Sequence, residues 1–270
     1  MTGADEIFAG TIPAIYERHM VPMIFEPYAQ DTAARVARLQ PRKLLEIAAG
    51  TGVVTRALAA RLGKAAEIVA TDLNSPMLDL AIRLQGDGGR VTFQQADALA
   101  LPFADDSFDA AVCQFGVMFF PDKLWGYREA RRVLKPGGTY LLTVWDELAA
   151  NAFVAVVSEV LARRFPNDPP RFMERTPHGY SNTRLIIAAL EEAGFSEAKA
   201  ESVARVAHAD SAMSAAIGYC QGNPLRGEIE AREPDGLQAV TEAVASALAA
   251  RFGQGPIEGA IHAHVIAARK

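Results

Sequence analysis

From residue 43 to residue 146, short β-rich runs alternate with runs whose apolar residues recur at helical spacing. That alternation admits few solutions other than a parallel sheet covered by helices. Strands are expected over 43–48, 67–71, 90–95, 108–114 and 139–145, and helices over 53–62, 76–84 and 124–134. Pro136-Gly137-Gly138 is expected to end the last of these helices before its strand. Five β units in this span make a doubly wound core. Beyond it the rhythm changes, with a helix over 149–165, a Pro-rich loop over 166–177 and a helix over 183–193 closed by Gly194. A strand over 199–207 follows, then two Ala-rich helices over 210–220 and 236–252 around a Gly/Pro/Arg-rich turn, and a last strand over 260–268. Residues 1–42 read as a helix pair broken in the middle by Pro22 and Pro27.

Composition narrows the class of protein. With 270 residues, 50% hydrophobic and 22% charged, the chain is long enough for a sizeable core and needs no staples. Its net charge of −5 and the lack of a Lys/Arg block argue against a phosphate-backbone partner. Cys113 and Cys220 match no metal or redox spacing, and Met1-Thr2-Gly3-Ala4-Asp5-Glu6 is acidic where a signal peptide is basic. The expectation is a reduced, cytoplasmic protein. No apolar run reaches the ~18 residues of a membrane-spanning helix.

Chemistry concentrates where strands end. Leu44-Leu45-Glu46-Ile47-Ala48-Ala49-Gly50-Thr51-Gly52-Val53-Val54-Thr55 is a buried strand entering a small-residue turn and then a helix. Gly50 and Gly52 let a ligand approach the N–H groups at the helix start, and Glu46 offers an acceptor to a cationic or hydroxylated group. A nucleotide-like cofactor fits such a turn; a helix-capping turn with no ligand is the alternative. Asp72 follows at the end of the second strand, where an adenosine ribose presents its hydroxyls. Asp97 follows the third, where a carboxylate can accept from an adenine amino group. Taken singly, each acid also fits a helix cap or a solvated loop.

The ordered set Glu46-Ile47-Ala48-Ala49-Gly50-Thr51-Gly52, Asp72, Asp97 with Leu101-Pro102-Phe103-Ala104-Asp105-Asp106-Ser107-Phe108-Asp109, and Leu134-Lys135-Pro136-Gly137-Gly138 resembles class I S-adenosylmethionine-dependent methyltransferases. Within them it is similar to the branch that includes ubiquinone/menaquinone-biosynthesis enzymes. The resemblance covers about residues 40–146; Ala48 stands where the family often has Gly, and Glu46 where it often has Asp. It implies an α/β, Rossmann-like doubly wound seven-stranded sheet, mostly parallel, with helical cap segments. The domains expected are a helical lid over 1–42, a cofactor-binding core over 43–146, and the rest of the sheet over 147–270 with cap insertions at 147–183 and 209–257.

By that resemblance, Glu46 lies near the methionine end of S-adenosylmethionine and Ala48, Gly50 and Gly52 line its backbone bed. Asp72 holds the ribose hydroxyls, Leu73 and Met77 flank adenine, and Asp97 with Ala98 faces the adenine amino group. Gln114 and Phe115 sit beside the sulfonium, and Tyr16 in Tyr16-Glu17-Arg18 belongs to a lid. The activity implied is methyl transfer to a small-molecule acceptor by in-line displacement, with S-adenosylhomocysteine as product. An activated sulfonium demands little acid–base machinery; His19 and His178 are the candidate bases should the acceptor carry a hydroxyl.

Other features read as structural. Asp105 and Asp106 are expected in a polar turn rather than a metal site, Arg131-Arg132 on a solvated helix face, and Asn223-Pro224-Leu225 in a turn. His262 and His264 share one face of a strand without a ligand pattern. Rival functions are a nicotinamide dehydrogenase, where Thr55 occupies the third glycine position of the fingerprint, and a nucleic-acid or protein methyltransferase. A non-catalytic S-adenosylmethionine-binding protein is the third.

Overall fold

The computed structural model describes residues 8–86 and 89–270; the acidic start Met1–Glu6 lies outside them. Seven strands form one sheet in the order β3-β2-β1-β4-β5-β7-β6. They are β1 (Lys43–Ile47), β2 (Glu67–Asp72), β3 (Val91–Gln95), β4 (Phe108–Gln114), β5 (Leu134–Trp145), β6 (Ser196–Ala209) and β7 (Ile257–Arg269). The first five pair in parallel. β7 runs against β5, since Asp146 N–H donates to the His262 carbonyl while Lys270 N–H donates to the Gly138 carbonyl. This is the expected doubly wound, mostly parallel sheet.

Two compact units divide the chain. One comprises the described part of Met1–Pro27 with Trp145–Tyr180 and Ala204–His262, and the other Tyr28–Val144, Ser181–Val203 and Ala263–Lys270. In the second unit the parallel strands carry α3 (Val53–Arg61), α4 (Ser75–Gln85) and α5 (Lys123–Val133) between them. The strand interiors are near-continuous apolar runs, as strands covered on both faces require: Leu44, Leu45, Ile47, Ile68, Ala110, Ala111 and Val112 are buried. Register pairs Ile47 with Thr71 and Asp72 with Gln95, so the carboxyl ends of β1, β2 and β3 finish level. Such an edge is where open α/β sheets bind ligands.

The helical unit is held by small residues at its helix crossings. A Cβ on Gly218 of α9 (Ala212–Gln221) would stand 3.2 Å from Met20 Cγ and 3.3 Å from His19 Cβ. α11 (Leu237–Phe252) buries Val240, Val244 and Leu248 at four-residue spacing, one helix face.

Several local expectations need correction. The N-terminal segment is one helical run rather than a broken pair: α1 (Ile12–Ile15) passes into π-helical turns over Tyr16–Phe25 and then α2 (Glu26–Leu39). The wider turns take in Pro22, whose missing N–H removes one rung, and Glu26 N–H closes on the Val21 carbonyl five residues back. Pro136-Gly137-Gly138 does not stop a helix. It bulges inside β5, where Phe108 pairs with Leu134 and Ala110 with Thr139, and Gly137 there adopts φ +77°. The loop over 166–177 contains α7 (Phe172–Arg175), and the turn before residue 236 contains α10 (Leu225–Arg232). Asn223 does lie in the expected turn, where it is buried and its Oδ1 accepts Leu225 N–H at 2.9 Å at the start of α10.

Candidate functional site

The β1–α3 turn concentrates unusual backbone. Ala48, Gly50 and Gly52 take left-handed φ of +57°, +58° and +84°, and Phe115 after β4 takes +56°. For non-glycine residues this conformation costs about 1–2 kcal/mol each, a strain that clusters where backbone is shaped for a ligand. The two glycines differ in what holds them. A Cβ on Gly52 would meet Ala81 Cβ at 3.1 Å, so this glycine lets α3 pack on α4; one on Gly50 would find only Met77 Cε at 3.6 Å. The space over the turn therefore opens at Gly50.

Asp72 anchors that turn. Its Oδ2 accepts Gly50 N–H and its Oδ1 accepts Asn74 N–H, both at 2.8 Å. Burial pushes its pKa up while these N–H bonds, Asn74 first, pull it back. Leu73 beside it is 47% exposed although large and apolar, and Met77 is buried. Ala49 N–H donates to Thr71 O at 2.8 Å, Ala96 N–H to Asp72 O at 3.0 Å, and Gln95 Nε2 to Leu73 O at 2.8 Å, stitching the three strand ends together. Asp97 is exposed with its Oδ1 on Leu99 N–H at 2.8 Å, a local turn, and Ala98 lies half-buried inside it.

Glu46 is buried and takes Thr55 Oγ1–H at 2.6 Å. Burial pushes its carboxyl up to about 8, against the Thr55 bond and the charge of Arg56; Asp72 adds to the rise. Thr51, between the glycines, is buried with its Oγ1 unpartnered. A buried acid lacking a contacting cation, a free hydroxyl and an exposed apolar side chain at the strand edge fit an adenosyl cofactor with an ammonium group. Glu46, Thr51, Asp72 and Leu73 would hold it.

At the end of β4, Gln114 Oε1 accepts Thr32 Oγ1–H at 2.8 Å, and the buried Phe115 ring meets Tyr28 edge-on at 5.3 Å. Gly116, next in the run after β4, belongs to no motif that marks it in the sequence. A Cβ there would stand 2.5 Å from Ala48 Cβ and 2.7 Å from Cys113 Sγ, so Gly116 sets how closely the β4 end approaches the β1 turn. Thr55, the departure from the glycine fingerprint, faces Glu46 from the first turn of α3 and is its hydrogen-bond partner. Cys113 is buried, and burial pushes its thiol up to about 12.

The remaining predicted residues lie in the helical unit. Tyr16 stacks on Phe25 at 4.9 Å. His19 Nδ1 lies 2.9 Å from Ser214 Oγ; burial and then Arg18 lower its pKa, against Asp210. His178 Nδ1 lies 2.8 Å from the Asp146 carbonyl oxygen. Asp105 and Asp106 each meet a cation, Arg132 at 2.8 Å and Lys270 at 2.6 Å. Arg131 and Arg132 are clamps rather than a solvated face: Arg131 Nε donates to Gly194 O at 2.7 Å, and Arg132 reaches Glu129 and the Leu101 and Phe103 carbonyls. His264 is buried with Nδ1 2.9 Å from Ser202 Oγ, while His262 is half-buried. Among the described residues no three His, Cys, Asp or Glu side chains group as metal ligands, and no helix is long and apolar enough to cross a membrane.

Sheet order, level strand ends and the β1–α3 turn define a Rossmann-like nucleotide-cofactor protein of the methyltransferase type. The methyltransferase domain family matches residues 44–138, all within the sheet unit. A demethylmenaquinone methyltransferase of Deinococcus radiodurans is 36% identical over 155 residues, which cover 56% of this chain and 64% of the relative. The ubiquinone/menaquinone biosynthesis C-methyltransferase UbiE of Proteus mirabilis is 31% identical over 168 residues, covering 58% of this chain and 67% of the relative. The fold is that of the YcgJ protein from Bacillus subtilis, at TM-score 0.55 and 21% identity over 90% of this chain and 98% of that one. The chain belongs to the S-adenosylmethionine-dependent methyltransferase family, in the branch of these quinone-biosynthesis relatives. It spans less than two thirds of the Deinococcus relative's length.

Proposed function

We propose that this protein transfers a methyl group from S-adenosylmethionine to a small-molecule acceptor by in-line displacement. The observation that carries the reading is the Asp72 carboxylate, fixed by Gly50 and Asn74 N–H at the end of β2 beside a left-handed turn. S-adenosylmethionine supplies a methyl group already activated on a sulfonium. This chain's residues then have to bind, orient and exclude water. Asp72 has lone pairs left for the ribose hydroxyls, Leu73 and Met77 offer apolar surface to adenine, and Asp97 with Ala98 meets its amino group. Glu46 receives the ammonium of the methionine end, with Ala48, Gly50 and Gly52 as the bed and Gln114 and Phe115 beside the sulfonium.

The segments 1–42, 147–183 and 209–257 are the proposed cap, with Tyr16 in its lid. They fall outside the matched domain over 44–138, as acceptor-specific additions do. Two buried free cysteines suit a reducing, cytoplasmic setting. A nicotinamide dehydrogenase is disfavoured because Thr55, committed to Glu46, fills the third glycine position. The net charge of −5 disfavours nucleic acid as substrate.

Calorimetry tests the cofactor: S-adenosylhomocysteine binds and NAD does not at comparable concentration. Transfer of labelled methyl to a metabolite panel that includes demethylmenaquinone tests the reaction. Binding of NAD instead refutes the assignment, and binding of S-adenosylhomocysteine with no methylated product leaves a non-catalytic cofactor protein.

A further inference from the structure

The sheet ends at β6, which has β7 on one side and no strand on the other. Which backbone groups face the open side follows from their alternation along antiparallel strands. Gly137 N–H donates to the Lys270 carbonyl and Lys270 N–H to the Gly138 carbonyl, so residue 270 and every second residue before it in β7 turn their backbone groups to β5. His264 belongs to that series. Ser202 Oγ lies 2.9 Å from His264 Nδ1, which makes the two cross-strand neighbours on one face. Ser202 therefore turns its own N–H and carbonyl away from β7, and Ala198 and Ala200 do the same. Ala204, next in the series, agrees, since its carbonyl accepts Arg205 Nη1 at 3.0 Å on the open side.

The uncovered stretch is bounded at both ends. Glu197 at φ +51° interrupts the extended run before it, and the Arg205 guanidinium covers the edge after it. Between them Ala198 is half-buried, while Lys199, Ala200, Glu201 and Ser202 are exposed. The three residues whose backbone faces outward are small, so another strand can approach to hydrogen-bonding distance. Proline, a bulge or a covering helix usually blunts such an edge, and none lies within Ala198–Ser202. The two charged residues differ in their ties. Glu201 is held by Arg35 Nη1 at 2.8 Å, and Arg35 in turn by Asp31 at 2.6 Å.

We propose that the open edge of β6 over Ala198–Ser202 pairs antiparallel with the same edge of a second copy of this chain, about a two-fold axis at Ala200. In that register Ala200 faces Ala200 of the second copy in a doubly hydrogen-bonded pair, Ala198 faces Ser202, and Lys199 faces Glu201 on both sides of the axis. Charge selects the register. Centring on Lys199 sets Glu197 against Glu201 and Lys199 against itself, and centring on Glu201 sets that acid against itself. Centring on Ala198 runs the ladder through the left-handed Glu197, and centring on Ser202 or beyond runs it into the covered edge at Ala204. The contact is isologous, so it closes as a dimer. It lies four strands from β1 in the sheet order, clear of the β1–α3 turn.

Sedimentation equilibrium at about 100 µM chain is expected to show a dimer, with S-adenosylhomocysteine and without it. Ala200→Pro removes an N–H that faces the open side, and a proline at such an edge position spares the bonds to β7. That variant is expected to be monomeric with the circular dichroism of the wild type. Lys199→Glu sets acid against acid on both sides of the axis, and its dimer Kd is expected to rise about tenfold or more.

Cross-linking reads the register. Cys113 and Cys220 are buried, so a thiol introduced at the edge is the one that oxidises. In Ala200→Cys the two thiols face each other at a Cα separation of about 5.5 Å, which a disulfide spans, and oxidation should join the copies. In Ala198→Cys they stand four residues apart along the ladder, about 14 Å, and no disulfide should form. A wild-type chain that stays monomeric at that concentration overturns the proposal, whatever other strand the edge accepts. So does a natively folded Ala200→Pro protein that still dimerises, a Lys199→Glu protein that dimerises as tightly as the wild type, or a disulfide through Ala198→Cys instead of Ala200→Cys. Should Ala200→Pro fail to fold, the exposed Lys199→Glu and the two cysteine variants decide by the same outcomes.

Discussion

Thr55 Oγ1 donates to Glu46 Oε2 across 2.6 Å, and both side chains are buried. One hydroxyl cannot replace the hydration of a carboxylate, and the facing charges partly cancel: Arg56 favours ionisation and Asp72 opposes it. The carboxyl therefore rests protonated at neutral pH.

The pH dependence follows from its pKa of about 8 in the folded protein against 4.5 as the reference value. Between those values the folded chain holds a proton that the unfolded chain has lost, so this group's contribution falls as pH rises from about 4.5 to about 8. Glu46→Gln removes that dependence. Its Tm relative to wild type should climb from pH 5 to pH 8, by roughly 2–4 °C for each kcal/mol relieved. Differential scanning calorimetry at the two pH values checks it, and a constant difference contradicts the protonated resting state. Binding of an ammonium beside Glu46 should also release close to one proton near pH 7, read as a buffer-dependent enthalpy.

Asp72 both anchors the turn and faces the proposed ribose site, and two variants separate these roles. Asp72→Ala leaves Gly50 and Asn74 N–H without their acceptor, lowering stability by about 1–3 kcal/mol. S-adenosylhomocysteine affinity should fall about ten- to a hundredfold at least. Asp72→Asn keeps one oxygen for an N–H and should lose less stability while still losing affinity. Thermal melts with calorimetry decide; a variant that melts early but binds like wild type makes Asp72 a turn anchor only.

The sheet and the strand-end acids could be read from sequence because their causes are local. Strand periodicity over 43–146 reports burial, and Glu46, Asp72 and Asp97 each sit within two residues of a predicted strand end. What sequence did not show depends on residues far apart in the chain. Gly116 is constrained by Ala48, and Arg131 by the Gly194 carbonyl. The bulge at Pro136-Gly137-Gly138 is tied to Lys270 at the end of β7. The helices α7 and α10 lay under Pro, Gly and Arg, whose local preference for turns is overridden by buried Phe172, Met173, Leu225 and Ile229. Pro22 misled for a related reason, since a helix that widens keeps its axis through a proline that would break a tighter one.

Arg132 joins α5 to the loop before β4. Its guanidinium bonds Glu129 at 2.8 and 2.9 Å, Asp105 at 2.8 Å, Phe103 O at 2.7 Å and Leu101 O at 2.9 Å. A lysine offers one point charge and cannot span that fork. Arg132→Lys should lower Tm by a few degrees, roughly 2–4 °C per kcal/mol lost, with S-adenosylhomocysteine affinity kept. A Tm equal to wild type would show that the loop carbonyls are as well served by water.

Gly116 limits the distance between the β4 end and the β1 turn. The two atoms that a Cβ there would strike are Ala48 Cβ at 2.5 Å and Cys113 Sγ at 2.7 Å, and neither belongs to a flexible chain that could swing aside. Ala48 already holds φ +57°, so relief has to come from displacing the turn that carries Gly50. Overpacking of this kind costs about 1–3 kcal/mol, and a shifted turn also moves Gly50 N–H from Asp72. Gly116→Ala is therefore expected to lower Tm and to weaken S-adenosylhomocysteine binding more than Arg132→Lys does. Ala48→Gly lets the turn adopt its left-handed φ without a Cβ and removes the 2.5 Å clash. The Ala48→Gly, Gly116→Ala double variant should regain much of the affinity, and a double-mutant cycle in calorimetry measures the coupling. Additive losses would mean that the two residues do not act on the turn together.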